Sequence, residues 1–114
     1  MSIVTEKLRN TLAPTGLSIT KNTYSGDDPV YLTYNYTTLG DQYGNNRAQV
    51  DRFLLSVHLI APANYDIEAL ELQIKTLLED AGYPRPSVTD ATDDPAEEQH
   101  RVFETEDDAA NGAE

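Results

Sequence analysis

Between Arg47 and Gly82 the chain carries a long extended segment, RAQVDRFLLSVHLIA, a short turn, and a bounded amphipathic segment, NYDIEALELQIKTLLEDAG. Phe53, Leu55, Val57 and Leu59 alternate with Leu54, Ser56, His58 and Ile60, the period-two pattern of a strand with one strongly apolar and one mixed face. Ile67, Leu70, Ile74, Leu77, Leu78 and Ala81 then recur at three- and four-residue intervals, which gathers them into one helical stripe. Each apolar face needs a cover, and each supplies the other's.

The ends of this helix are chemically marked. Asn64 or Asp66 can accept from the first unpaired amides, and Asp66 with Glu68 places negative charge at the positive end of the helix dipole. Glu71 and Lys75 stand four apart on the wet side. Gly82 can take the left-handed conformation that closes a helix, and Pro84 prevents its resumption. About 17 residues at about 1.5 Å each give a rod about 25 Å long, enough to cross several strands.

The other elements follow from the same reading. Ser2 to Leu12 predicts a short helix on Val4, Leu8 and Leu12, stopped by Pro14 and Gly16. Leu17 to Tyr24 predicts a first strand, SGDDP a turn, and Val30 to Thr38 a second strand rich in tyrosine and β-branched residues. Leu39 to Asn46, with two Gly and two Asn, reads as a mobile loop before the long third strand. Ser87 to Asp90 and Gln99 to Thr105 complete the set as a fourth and fifth strand. The expected fold is α+β: a mostly antiparallel or mixed sheet of about four to five strands packed by two helices, in the order α-β-β-β-α-β-β. It forms one domain over residues 1–105, with an acidic, disordered tail over 106–114.

Charge is unevenly placed. Residues 1–89 hold ten acids and seven bases, whereas residues 90–114 hold ten acids against one base, Arg101, so most of the net charge of -12 belongs to the last quarter. Nucleic acid is gripped mainly through Lys and Arg, so this balance argues against DNA or RNA binding. The chain has no Cys, which excludes a disulfide framework, a cysteine metal site and a thiol nucleophile. No apolar run approaches the roughly 18 residues of a bilayer span, and MSIVTEKLRNTL lacks the organisation of a signal peptide, so a protein made in a cytoplasm and independent of membranes is expected.

Catalytic constellations are missing from the sequence. His58 and His100, the two histidines, each fall in a predicted strand without a second His or a helical acid at metal-ligand spacing. Asp27 with Asp28 and Asp93 with Asp94 sit in turns near Pro, where Asp is favoured for backbone hydrogen bonding. Gly40 and Gly44 lead into no phosphate-binding helix, and Ser56 is not in a nucleophile elbow. We therefore expect neither an enzyme nor a cofactor or metal. Tyrosine is the more telling residue: Tyr24, Tyr31, Tyr34, Tyr36 and Tyr43 all precede residue 47, and Tyr suits subunit contacts because it offers a large apolar body with a polar tip.

The order of these features, with PVYLTYNY, a polar loop, RAQVDRFLLSVHLIAP, YDIEALELQIKTLLEDAGY and a closing HRVFE, resembles the tail terminator (tail completion) proteins of long-tailed bacteriophages. The likeness covers nearly the whole chain to about Glu104 and lies in the pattern of hydrophobic positions. Gly44-Asn45-Asn46-Arg47 is a loose counterpart of the family's turn before the long strand, and the acidic end is not a family feature.

The resemblance implies a virion protein, at the head-proximal end of the tail and in the host cytoplasm during assembly. Its subunits form a hexameric ring that caps the tail tube, halts tube polymerisation and meets the head connector, while DNA passes through the lumen unbound. Closure of such a ring requires a heterologous interface, one patch meeting a different patch on the next copy. The candidate contact residues for self, the tube protein or the connector are Tyr31, Tyr34, Tyr36, Asp41, Tyr43, Arg47 and Arg52. Asp41 or the acids after Glu104 are candidates to line the passage, where negative charge would repel phosphates. Another head–tail neck or head-completion adaptor, and an acidic DNA-mimic inhibitor of a host enzyme, are the alternatives.

Overall fold

The computed structural model describes residues 3–41, 50–94 and 96–110, with side chains over 5–37, 53–94 and 96–106. Helix α1 (Ile3–Leu12) runs into a 3-10 turn at Ala13–Thr15; then come β1 (Ile19–Lys21), β2 (Tyr31–Asp41), β3 (Val50–Pro62), α2 (Ile67–Asp80), β4 (Ser87–Asp90) and β5 (Glu98–Ala110). The five strands form one mixed sheet in the order β1-β2-β3-β5-β4, parallel only between β1 and β2. The fold is α+β, in the order the sequence predicts.

Both helices lie on one face of the sheet. Leu8 and Leu12 of α1 and Ile67, Leu70, Ile74 and Leu78 of α2 join Leu32, Tyr34, Leu55, Val57, Leu59, Ala61 and Phe103 in a single buried cluster. Strand β3, with the strongest alternation, is central, its odd-numbered side chains inside and flanked by β2 and β5. Burying each large apolar side chain contributes about 1.5–3 kcal/mol, so this cluster is the main source of the fold's stability.

Helix α2 is shorter than its sequence pattern, fourteen residues or about 21 Å. Asp66 occupies the N-cap, yet its side chain makes no capping bond, so its favourable effect is that of negative charge near the helix start. Glu71 turns toward the sheet, where Arg101 Nε donates to its Oε1 at 3.1 Å while Arg101 Nη1 pairs with Asp90 Oδ1 at 3.0 Å. One guanidinium thus ties α2, β5 and β4 together.

The C-terminus of α2 follows its sequence. Gly82 takes φ +99°, its amide donates to the carbonyl of Glu79 at 3.1 Å, and the Tyr83 amide donates to that of Leu78 at 3.1 Å. These two bonds make a Schellman motif, and its hydrophobic partner is Tyr83, buried beside Leu78 in the core with Lys7 Nζ 4.5 Å from the ring centre.

Besides β1, which spans only Ile19–Lys21 of the expected Leu17 to Tyr24, two boundaries differ from the sequence reading. β2 runs on through Leu39, Gly40 and Asp41, opposite Arg52, Asp51 and Val50, so the first three residues of the expected loop are strand; residues 42–46 of that loop lie outside the described residues. β5 continues past Thr105 through Glu106, Asp107 and Asp108 to Ala110, paired with β3 from Leu54 to Val50, so residues 106–110 of the expected tail are strand, while residues 111–114 lie outside the described residues. The physical reason is the same in both places. Ladder hydrogen bonds use backbone groups, and a long β3 offers them to any neighbour, including one without apolar side chains.

Candidate functional site

The face of the sheet opposite the helices has no helix over it among the described residues; the segment between β1 and β2 reaches across one end, where Tyr24 stacks on Tyr31 and Thr33 is buried, and the rest is open. The alternation that sends Leu55, Val57 and Leu59 inward sends Leu54, Ser56, His58 and Ile60 outward, and register adds Tyr31, Thr33 and Asn35 from β2 and His100, Val102, Glu104 and Glu106 from β5. The composition is mixed: Leu54 is 42% exposed, Ile60 and Val102 are half-buried, and Glu104 is exposed. Antiparallel sheets commonly leave one face to water, and here that face carries apolar and acidic side chains together.

At one end of this face is a shallow cleft of about 370 Å³ lined by Asn22, Tyr24, Tyr31, Thr33, His58 and His100 among others. Its wall is built by the segment between β1 and β2. The Tyr24 hydroxyl donates to Asp28 Oδ2 at 2.6 Å and accepts from the Asp28 amide at 2.9 Å, while Ser18 Oγ donates to the same carboxylate oxygen at 3.0 Å. These bonds hold the Asp28 carboxyl below its usual range, chiefly through Tyr24 and then Ser18. The Tyr24 ring stacks on Tyr31 at 4.2 Å, and a Cβ at Gly26 would collide with the Tyr24 ring, so the turn needs glycine there. Asn22, at φ +70°, turns the chain at the cleft rim in a conformation Asn tolerates.

The cleft floor holds the two histidines. His58 faces Val102 across the β3–β5 ladder, and His100 is its diagonal neighbour two residues back, which brings His58 Nδ1 within 2.8 Å of His100 Nε2. Burial, and then the nearby His100, lower the His58 pKa below the ordinary value, with Glu104 acting in the opposite sense. Sequence spacing hid this pair because the residues stand 42 apart. Their shared parity on two strands was legible, but the β3–β5 pairing was not.

The sequence candidates divide by position. Tyr31 lies on the uncovered face, stacked on Tyr24. Tyr34 is only 1% exposed and donates to Thr5 Oγ1 at 2.9 Å, so it is a core residue of this chain and leaves the set of contact candidates; its even-numbered place on β2 puts it under the helices. Tyr36, on the same side, is half-buried, edge-on to Phe53 at 5.7 Å with Lys21 Nζ 4.9 Å from its ring centre. Asp41 and Arg52 belong to the paired ends of β2 and β3, with side chains outside those described, and Tyr43 and Arg47 lie outside the described residues.

Among the described residues, no three His, Cys, Asp or Glu side chains form a metal-binding group, and no helix is long and apolar enough to cross a membrane. No protein-family profile matches the chain, and no curated protein matches it. One solved structure, of a protein whose name states no function, aligns over 92% of this chain and 92% of its own at a TM-score of 0.60 and 14% identity. At that identity the likeness is one of fold.

Proposed function

We propose that this chain is a tail terminator subunit of a long-tailed bacteriophage, which forms a ring, caps the tail tube, stops its polymerisation and joins the tail to the head connector. The observation that carries the reading is the uncovered sheet face between two unlike free edges. One edge is β1, three residues long and parallel to its neighbour; the other is β4, four residues long and antiparallel. A ring needs each copy to offer two different patches, and a sheet with dissimilar edges supplies them without any second domain. The hydrophobic pattern of PVYLTYNY, the long β3 and the helix closing on Gly82 supplies the family likeness.

The acids have a place in this scheme. Glu104 and Glu106 share the uncovered face, on the strand next to the central one. Turned toward a lumen, that face repels the DNA phosphates, spaced at about one charge per 1.7 Å of axis, and lets the duplex pass without adhesion.

The test is native mass spectrometry of the purified chain, followed by its addition to polymerising tail-tube protein under negative-stain microscopy. Closed rings and tubes of arrested length are expected. A chain that stays monomeric beside tubes and leaves their growth unchanged overturns the proposal, and one that binds the portal-side connector while tubes keep growing is a neck adaptor instead.

A further inference from the structure

We infer that the edge of β5 beyond the end of β4 is a strand-addition site for an extended basic segment of another protein. The surface is defined within one chain and does not depend on ring formation.

The open lane beside β5 has a cause in the sequence. β4 pairs with β5 only from Ser87, opposite Glu104, to Asp90, opposite Arg101. Pro84 and Pro86 stand just before Ser87 and have no N–H to give a ladder, so the pairing cannot continue in that direction. The chain turns instead toward the buried side of the sheet, where the Pro84 carbonyl accepts from Thr105 Oγ1 at 2.7 Å. β5 meanwhile runs on to Ala110, held on its other side by β3, and among the described residues no strand lies where β4 would have continued.

The backbone there is aimed at the vacancy. His100 donates its amide to Thr92 Oγ1 at 3.0 Å and accepts from the Ala91 amide at 2.9 Å, so even-numbered residues of β5 turn their backbone groups to the β4 side. The ladder with β3 runs on without a break in register, and the same alternation turns the N–H and C=O of Asp108 and Ala110 into the open lane. A strand edge without a neighbour is a template for one more strand.

Charge selects the occupant. The run beyond β4, TEDDAA, follows Glu104 and holds three acids and no base. Opposite charges across a strand pair stabilise it, and like charges directly opposite destabilise it. A second copy therefore fits poorly: its own β5 brings more acids, and no described strand of this chain holds more than one Lys or Arg, these being Lys21 in β1, Arg52 in β3 and Arg101 in β5. A basic segment from another protein fits, and the net charge of -12 draws it from a distance. Where the lane opens, a groove of about 310 Å³ lined by Leu54, Ser56, Ser87 and Glu104 offers an incoming side chain an apolar wall beside an acid. Arg85, at the same groove, is paired with Glu79 at 3.4 Å.

The experiment uses the full chain, nitrogen-15 labelled and without an affinity tag, and a capped nine-residue peptide that alternates lysine with valine. Amide correlation spectra follow the titration at low salt. Saturable binding is expected, with the amides of Asp108 and Ala110 shifted and protected from solvent exchange more than those of Asp107 and Ala109, which face β3. Glutamate in place of every lysine abolishes binding, and full N-methylation of the peptide, which keeps its charge and removes its amide donors, weakens binding at least tenfold. Asp108→Pro, which removes an edge N–H, weakens it at least tenfold, and Asp108→Asn, which removes charge alone, does so less. Circular dichroism verifies that each variant is folded. No binding at about 1 mM peptide overturns the proposal. Equal binding of the N-methylated peptide overturns it too, since the contact is then diffuse charge attraction, and self-association through the β5 edge without peptide overturns the choice of occupant.

Discussion

The Tyr34 hydroxyl donates to Thr5 Oγ1 at 2.9 Å, a buried bond between the second strand and the first helix across 29 residues of sequence. It fixes the depth at which α1 sits on the sheet, because both groups are almost fully removed from water. Tyr34→Phe keeps the ring and leaves the threonine hydroxyl without this partner. We expect a loss of about 1–2 kcal/mol in urea unfolding with no change in far-ultraviolet circular dichroism. Tyr34→Ala, which also empties the core, costs about 3–5 kcal/mol.

Arg101 joins three elements through Glu71 and Asp90, and its own side chain is only 16% exposed. Arg101→Gln retains much of the stem and removes the charge. A loss of about 1.5–3 kcal/mol is expected, larger than for Asp90→Asn, whose side chain is 61% exposed. Denaturation of the two variants and their double mutant measures the coupling.

Gly82 and Gly16 both hold positive φ, at +99° and +73°, with open space where a Cβ would stand. Alanine at either position is therefore strained by the backbone alone, at roughly 1–2 kcal/mol. A fall in thermal midpoint for each, roughly additive in the double variant, is the expected measurement.

His58 gives the fold a pH dependence of defined sign. Its pKa is lowered in the folded chain, so the unfolded chain binds more protons near its ordinary value of about 6.5. The contribution is complete above that value and is lost as pH falls below it, until the folded-state pKa is passed. Asp28 and Asp90, also lowered, contribute above about 3.8 and lose their effect only in stronger acid. Between pH 7.5 and 5.5 the thermal midpoint should fall, and it should fall less in His58→Gln.

Leu54 is the large apolar side chain most exposed on the uncovered face, near Glu104 and Glu106 at one end of it. On the proposed ring, Leu54→Lys leaves the unfolding free energy within about 0.5 kcal/mol of wild type and weakens association between copies at least tenfold. Analytical ultracentrifugation of the two proteins at equal concentration measures it.

The alternation of β3 and the stripe of α2 made the centre of this fold legible, since a period in the sequence becomes a face in space. Gly82 carried the end of α2 for the same kind of reason, a local backbone demand met by one residue type. Pairing was less accessible. Nothing local says that β5 inserts between β3 and β4, so the His58–His100 contact and the burial of Phe103 depended on the tertiary arrangement. Tyr34 shows the limit from the other side. Its parity was correct, but tyrosine reads as a surface residue until a buried partner such as Thr5 is known. The paired acids after Thr105 mark a further limit, because composition weighs side chains while a ladder is held by the main chain.

The last strand in sequence, β5, occupies the place next to the central one, between β3 and β4. A nascent chain therefore keeps one side of β3 and one side of β4 open until residues 98–110 have been made. Until then the backbone groups on that side of β3 have only water as partner.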